Sequence, residues 1–128
     1  MNCPCGSGVR YRDCCQPLHE NKHSAKRAEQ LMRSRFSAFV LKLHDYLLQT
    51  WCDKTRPDRL DLNDQPEWLK LTIWRNEGGE MLDQTGQVEF SAFYRLANGK
   101  MGEMRELSNF ERKLNGQWCY KNGVVKDL

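Results

Sequence analysis

The four cysteines near the start of the chain constrain its fold more than any other feature. Cys3 and Cys5 are separated by one residue, and Cys14 and Cys15 follow after an eight-residue loop. Four thiolates can surround one Zn²⁺ tetrahedrally at about 2.3 Å each, provided that the loop turns the chain back on itself. So short a segment cannot build a hydrophobic core, and a bound metal would replace one. The spacing therefore predicts a zinc-binding knob (residues 3–15) with one structural Zn²⁺ bound by Cys3, Cys5, Cys14 and Cys15.

Three other interpretations of this cluster remain open at the level of the sequence. The vicinal pair Cys14-Cys15 is less usual on one metal than a pair with a two-residue spacer, so a disulfide or free thiols are alternatives. A redox role is a second alternative, although the Cys-x-x-Cys motif typical of thioredoxin-like chemistry is absent from the cluster. His19 could replace Cys14 or Cys15 as a ligand.

Length and composition indicate one domain with a small appendage. The chain has 128 residues, a mean hydropathy of −0.80 and 29% charged residues. It has no apolar run long enough to cross a bilayer, and its N-terminus lacks the basic start and apolar stretch of a signal peptide. We therefore expect a soluble cytoplasmic protein with no membrane partner, in a compartment where clustered cysteines bind metal more often than they form disulfides.

The charge of the chain is unevenly distributed. Residues 1–42 carry eight Lys or Arg against three Asp or Glu, whereas the remainder carries twelve against fourteen, and the net charge is +3. Four thiolates and one Zn²⁺ would reduce this to about +1. Strongly basic nucleic-acid-binding proteins differ from this pattern, so direct nucleic-acid binding is not expected. An RNA-facing surface on the basic first segment is a weaker alternative, which would bind less tightly as salt increases.

The middle of the chain has the pattern of helices. Residues 24–52 place apolar side chains at helical spacing, with Ser24 as the expected N-cap. The stretch is long for one helix of a globular protein, so we expect a break near residues 42–44 that gives a long helix and then a short one. Residues 53–67 are acidic and contain proline, which predicts a connection rather than a further helix.

From Trp68 onward, apolar and polar residues alternate as in β-strands. In each of two predicted strands the apolar residues share one face: Leu69, Leu71 and Ile73 in the first, and Val88, Phe90, Ala92 and Tyr94 in the second. Three turn signals separate four predicted strands: Gly78-Gly79, Asn98-Gly99 and Asn115-Gly116. Helices followed by such a meander predict an α+β fold, with the helices covering one face of a twisted antiparallel sheet.

The segment CPCGSGVRYRDCC resembles the SEC-C motif, known from the C-terminal tail of the translocase motor SecA. There the motif coordinates zinc through all four positions, commonly with His as the fourth ligand, and contacts the chaperone SecB and the ribosome. The resemblance implies a structural zinc and a SecB-like chaperone or ribosomal partner. It leads us to expect that the loop between the cysteine pairs presents Arg10, Tyr11 and Arg12 to that partner.

The rest of the chain resembles the bacterial YchJ family. The segments that carry the resemblance are LMRSRFSAFVLKLHDYLLQTW, GQVEFSAFYR and FERKLNGQWCYKNG. This resemblance implies a cystatin-like, nuclear transport factor 2-like α+β domain over residues 24–128, preceded by the SEC-C motif and a linker over residues 1–23. In that fold, helices pack into a strongly curved antiparallel sheet and form a cone that can bind a ligand.

These features favour an interaction module over an enzyme. The chain has no HExxH motif, Gly-rich phosphate loop or Ser-His-Asp set, so no catalytic residue is predicted. The alternative function is small-molecule binding or enzymatic activity in the cone, with Arg33, Arg35, Tyr94 and Glu106 as candidate pocket residues.

Two pairs of residues have simpler interpretations that need no functional site. Arg33 and Arg35 lie two residues apart on a helix, so only one can easily face inward. One of them would then be solvated and the other would form a buried ion pair with Glu89 or Glu106. Cys52 and Cys119 are isolated in the sequence and are interpreted as small buried hydrophobic residues.

Overall fold

Helices precede a four-stranded antiparallel sheet in the computed structural model, which describes residues 1–126. The elements are a 3₁₀ helix, three α-helices and four strands: Tyr11–Asp13, then α1 (Gln16–His19), α2 (Ala28–Leu41) and α3 (His44–Gln49), then β1 (Glu67–Gly78), β2 (Thr85–Arg95), β3 (Met101–Arg112) and β4 (Trp118–Lys126).

The predicted break in the helical segment is confirmed. Lys42 ends α2 in the left-handed conformation, with φ of 58°, and α3 begins two residues later at His44. The expected N-cap at Ser24 is wrong, because α2 begins only at Ala28. There the Ala28 amide donates a hydrogen bond of 2.9 Å to the Gly79 carbonyl in the turn after β1. The start of α2 is thus set by a contact with the sheet.

The sheet has the order β1-β2-β3-β4, and neighbouring strands pair antiparallel through turns at the three predicted positions. The α+β class is confirmed. The strongly curved sheet expected from the resemblance is a correction: the sheet is open and not strongly curled. Its register is interrupted only locally, twice between β1 and β2 and once between β3 and β4.

The main core lies between α2 and one face of the sheet. Its buried members are Ala28, Leu31, Met32, Phe36, Leu71, Val88, Phe90, Ala92, Phe110 and Trp118. A second cluster joins α1, α2 and α3 through Leu18, Ala38, Tyr46 and Leu47. Because Leu18 belongs to it, the chain just after the cysteines packs against the helices. The division of the chain into residues 1–23 and 24–128 stays a prediction.

Cys52 and Cys119 are buried, as expected, but the expectation that they are isolated is wrong, because they form a disulfide bond with each other. The bond connects the segment after α3 to β4. Two backbone hydrogen bonds of 2.8 Å flank it, from the Cys52 amide to the Tyr120 carbonyl and from the Tyr120 amide to the Thr50 carbonyl. The sequence offered no signal for this pairing, because 67 positions separate the two cysteines.

None of the helices in residues 1–126 is long and apolar enough to cross a membrane.

Candidate metal centre

The four N-terminal thiols converge on one point. Their Sγ atoms all lie within 4.8 Å of one another. Cys14 Sγ lies 3.6 Å from Cys5 Sγ and 4.0 Å from Cys15 Sγ. A tetrahedral zinc site with Zn–S bonds of about 2.3 Å requires S–S distances of about 3.8 Å. The side chains Cys3, Cys5, Cys14 and Cys15 therefore match a metal such as zinc in number, chemistry and spacing.

The loop between the two cysteine pairs closes through backbone hydrogen bonds. The Cys3 amide donates to the Val9 carbonyl at 2.9 Å, and the Gly6 amide donates to the Cys3 carbonyl at 3.2 Å. Gly6 and Gly8 both have positive φ, 79° and 82°, where a residue with a Cβ atom would be strained. The glycines at these two positions allow the chain to reverse and bring the second cysteine pair to the first.

The knob is docked on α2 rather than separated from it. The Ser37 hydroxyl lies 3.4 Å from Cys15 Sγ and 3.5 Å from Cys3 Sγ. The Arg33 guanidinium donates a hydrogen bond of 2.9 Å to the Cys5 carbonyl. Both α2 residues face the same side of the helix, because they are four positions apart. The cluster therefore has α2 as its support.

His19 connects the knob to α2 and is not placed as a metal ligand. Its Nε2 donates a hydrogen bond of 2.8 Å to the Ser34 carbonyl, so its Nδ1 accepts the bond of 2.7 Å from the Tyr11 hydroxyl. Burial lowers the pKa of His19, which favours this neutral tautomer. Both ring nitrogens are thus used, and the alternative in which His19 replaces a cysteine ligand is not supported.

The metal-free cluster does not favour four thiolates. A hydrogen bond from Cys15 lowers the pKa of Cys5 to about 4, whereas burial raises the pKa of Cys14 to about 11. The pKa of Cys15 is also raised, mainly because its hydrogen bond to Cys5 stabilises the neutral thiol. Neighbouring thiolates repel one another, so only a cation lets all four ionise together. Metal binding at this site would consequently release protons.

The three residues predicted to contact a partner differ in their exposure. Arg10 and Arg12 are exposed on the outside of the knob. Tyr11 is half-buried between them, and its hydroxyl is engaged by His19. Tyr11 therefore helps to attach the knob to α2, and the two arginines are the exposed side chains of the three.

The four candidate pocket residues are not brought together. Arg35 and Glu106 line one cavity of about 300 Å³ between α2 and the sheet. Arg33 lies on the other side of α2, where it forms an ion pair of 3.0 Å with Glu29. Tyr94 packs against Trp68, with ring centroids 5.6 Å apart, and does not line this cavity.

The buried ion pair predicted for Arg33 or Arg35 with a sheet carboxylate is not found in residues 1–126. Glu89 pairs instead with Arg75, Arg105 and Lys126 on the opposite face of the sheet. Arg35 is the inward-facing arginine of the two, as helical geometry requires, but it forms no ion pair with a described carboxylate.

Two aromatic residues that surround Arg35 were not identified from the sequence. The guanidinium carbon of Arg35 lies 5.0 Å from the centre of the Trp51 ring and 4.7 Å from that of Tyr120. These rings come from the segment after α3 and from β4, so no local pattern could associate them with α2. The sequence indicated only that aromatic residues lie near the ends of a predicted helix and a predicted strand, without saying what they contact.

Comparison with known proteins assigns the chain to a family. Residues 27–123 match the model described as YchJ, middle NTF2-like domain, and residues 2–17 match the SEC-C motif. The chain belongs to the YchJ family. The YchJ and SEC-C resemblances are thereby confirmed, and the two matched ranges correspond to the α+β domain and to the four-cysteine cluster.

Bacterial relatives and solved structures agree with this assignment. A UPF0225 protein of Corynebacterium efficiens is 45% identical over 128 residues, which cover 99% of this chain and 95% of that protein. A UPF0225 protein of Deinococcus radiodurans is 44% identical over 118 residues, covering 92% of this chain and 85% of that protein.

Two solved structures have the same fold, and both are described as SEC-C motif containing proteins. The solution structure of the one from Rhodopseudomonas palustris has a TM-score of 0.86 and 35% identity, covering 99% of this chain and 100% of that one. The crystal structure of the one from Psychrobacter arcticus has a TM-score of 0.77 and 29% identity, covering 98% of this chain and 83% of that one.

Proposed function

We propose that this YchJ family member is a zinc-containing interaction module. The observation that carries the proposal is the convergence of four thiols within 4.8 Å on a loop that α2 supports. Four cysteine ligands complete the tetrahedral coordination of the zinc. No coordination position is then left for a substrate, so the zinc acts structurally. Its role is to fix a short loop that has no core of its own.

The surface that the zinc fixes is small, exposed and basic. Arg10 and Arg12 project from it, and Val9 exposes 44% of its surface beside them. A fixed loop loses little conformational entropy on binding, which favours recognition by a partner. The resemblance to the SecA tail supports a SecB-like chaperone or the ribosome as that partner, and contact with nucleic acid is expected only through the ribosome.

This proposal implies a cytoplasmic protein, because SecB and ribosomes are cytoplasmic and zinc-binding thiolates need reducing conditions. The Cys52–Cys119 disulfide must then resist cytoplasmic thiols. Its two residues are 4% and 1% exposed, and thiol–disulfide exchange requires access to a sulfur atom. The bond is therefore shielded from reduction as long as the chain stays folded.

Native mass spectrometry of protein purified without added metal tests the zinc assignment. We expect one Zn²⁺ per chain, and four thiols that react with a modifying reagent only after denaturation or chelation. Cys5→Ala should lose the metal, because three ligands remain. Metal-free protein with reactive or oxidised cysteines would contradict a structural zinc and favour a redox role for the cluster.

Charge reversal of the loop tests the docking surface. The double variant Arg10→Glu with Arg12→Glu should keep its zinc and its melting temperature but lose at least tenfold in affinity for purified SecB or ribosomes. Lys54→Glu with Arg59→Glu is the matched control, because it makes the same charge change at exposed positions distant in sequence. Equal binding by both double variants, or no binding by the native chain to either partner, would contradict the proposal.

The cavity beside Arg35 favours a second candidate function, which is small-molecule binding in the α+β domain. Its volume of about 300 Å³ lies at the lower end of the range for ligand pockets. We assign no reaction to it, and an enzymatic role rests on fold analogy alone.

A further inference from the structure

The cavity between α2 and the sheet has an apolar body. It is lined by Met32, Phe36, Phe39, Trp68, Phe90 and Met104, among others. Its volume of about 300 Å³ falls at the lower end of the range for small-molecule pockets. A compact molecule with an apolar group of a few carbon atoms fits such a space.

One wall of the cavity carries a buried cation. Arg35 is 3% exposed, and its Nη1 donates to the Leu47 carbonyl at 2.8 Å and to the Thr50 hydroxyl at 2.7 Å. These bonds fix the orientation of the guanidinium between the rings of Trp51 and Tyr120. Within residues 1–126, the hydrogen bonds of Arg35 all come from Nη1, and no hydrogen bond or ion pair uses its Nε and Nη2 groups. Because a buried charge without a counter-ion is costly, an anionic group is the natural complement at this position.

The same part of the cavity carries a carboxylate. Glu106 accepts hydrogen bonds on one oxygen, Oε2, from the Ser108 hydroxyl at 2.5 Å and from the Tyr120 hydroxyl at 3.2 Å. Gly123 on β4 makes room for this side chain, since a Cβ atom there would collide with the Glu106 carboxylate. Oε1 has no hydrogen-bond partner among the described residues, and it is available to a cationic or hydrogen-bond-donating group.

Arg35 and Glu106 are both next to Tyr120 but do not form an ion pair with each other. We propose that the cavity binds a free α-amino acid with an apolar side chain, an assignment that rests on small-molecule binding as the second function. The ligand carboxylate binds the guanidinium of Arg35, and its ammonium group binds the carboxylate of Glu106. Its side chain fills the apolar body, so each charged group meets its opposite charge.

Matched ligands separate the contributions of the two charges. The probes are L-phenylalanine, hydrocinnamate, which lacks the ammonium group, and phenethylamine, which lacks the carboxylate; L-leucine, isocaproate and isoamylamine repeat the series with a smaller body. Binding is measured by calorimetry and by the fluorescence of Trp51 and Trp68, which line the cavity. We expect at least one amino acid to bind tenfold or more tightly than both of its analogues, because a charge-assisted hydrogen bond contributes about that factor.

Variants of the cavity test the assignment of each charge. Arg35→Met should abolish the preference for phenylalanine over phenethylamine, and Glu106→Gln should abolish the preference for phenylalanine over hydrocinnamate. Ala92→Leu should reduce binding of every probe, because Ala92 lines the cavity and a larger side chain would fill it. The control Arg95→Met changes an exposed arginine of β2 and should bind like the native chain.

The outcomes distinguish this proposal from the function on which it rests. Equal binding of an amino acid and its two analogues would overturn the amino-acid assignment and leave an apolar binding site. Tighter binding of the acid or the amine alone would also overturn it. If none of the six probes binds to the native chain, both the assignment and small-molecule binding by this cavity are contradicted. The native chain alone decides these outcomes, even if Arg35→Met does not fold.

Discussion

Arg33 and Arg35 show how two similar residues of one helix acquire different surroundings. Helical geometry alone predicts that they point to different sides of α2. The structure directs Arg33 to the Cys5 carbonyl of the knob and Arg35 into the cavity beside Trp51 and Tyr120. The partners could not be predicted, because the knob, the segment after α3 and β4 reach α2 from distant parts of the chain.

Glu89 is a residue whose charge state depends strongly on tertiary contacts. Its carboxylate accepts a hydrogen bond of 2.9 Å from Arg105 and also pairs with Lys126 and Arg75, each at 3.2 Å. These donors, with Arg105 first, lower the pKa of Glu89 to about 2 from its ordinary value of 4.5. A carboxyl with a lowered folded-state pKa stabilises the fold fully above its unfolded pKa, and this stabilisation is lost as pH falls towards the folded value.

Glu89→Gln should therefore lower the midpoint of urea unfolding at neutral pH. The difference between native chain and variant should shrink as pH falls from about 4.5 to about 2. Chemical denaturation followed by circular dichroism at several pH values measures this difference. The control Glu77→Gln removes a carboxylate whose side chain is 65% exposed, and it should have little effect. A Glu89→Gln effect that is constant down to pH 2 would show that the ion pairs are not its cause.

The start of α2 and the turn after β1 lie close to each other. Gly79 in this turn has φ of 74°, and its carbonyl accepts the hydrogen bond from the Ala28 amide. A Cβ atom on Gly86 would collide with the Gly79 backbone and lie 3.3 Å from the Ala28 Cβ. Glycine at residue 86 therefore allows the β1–β2 hairpin to lie close to the start of α2. Ala28, the first residue of α2, belongs to the main core.

Gly86→Ala should destabilise the chain by about 1–3 kcal/mol, the usual cost of overpacking, because the colliding atoms belong to the backbone. Gly99→Asn is the control: a Cβ at this turn meets nothing within 4 Å, and asparagine tolerates its positive φ of 87°. Its effect should stay within about 0.5 kcal/mol. Thermal and urea unfolding measure both changes, and equal stability of Gly86→Ala and the native chain would contradict the close approach.

At the scale of the whole molecule, distant segments are joined by a few specific contacts. Ser37 and His19 attach the knob to α2, and the Cys52–Cys119 disulfide attaches the segment after α3 to β4. The disulfide closes a loop with a sequence separation of 67. A crosslink over such a distance restricts the unfolded chain strongly, and the same segment also contributes Trp51 to the cavity.

The double variant Cys52→Ala with Cys119→Ala should lose about 2–5 kcal/mol of unfolding free energy while keeping its zinc. Alanine is preferred to serine here, because a buried hydroxyl would need a new hydrogen-bond partner. A thiol titration checks the bond directly. The unmutated chain, denatured in the presence of a chelator and without reductant, should show four free thiols. A count of six would contradict the disulfide.

The sequence by itself determined the features that depend on neighbouring residues. The spacing of the cysteines, with glycines at residues 6 and 8, predicted the closed cluster, and the three glycine turns predicted an antiparallel meander. The helical break and the inward direction of one arginine also followed from local periodicity. Turn conformation and side-chain direction are local properties, so they can be deduced without knowing what packs against them.

Only the tertiary structure decided the features that join distant residues. These are the disulfide, the attachment of Tyr11 to His19, the aromatic surroundings of Arg35 and the open shape of the sheet. Each depends on which elements meet and at what distance. Hydrophobic burial is not directional, so many arrangements of the same helices and strands are compatible with one pattern of apolar residues. Close packing over the whole core selects one arrangement among them.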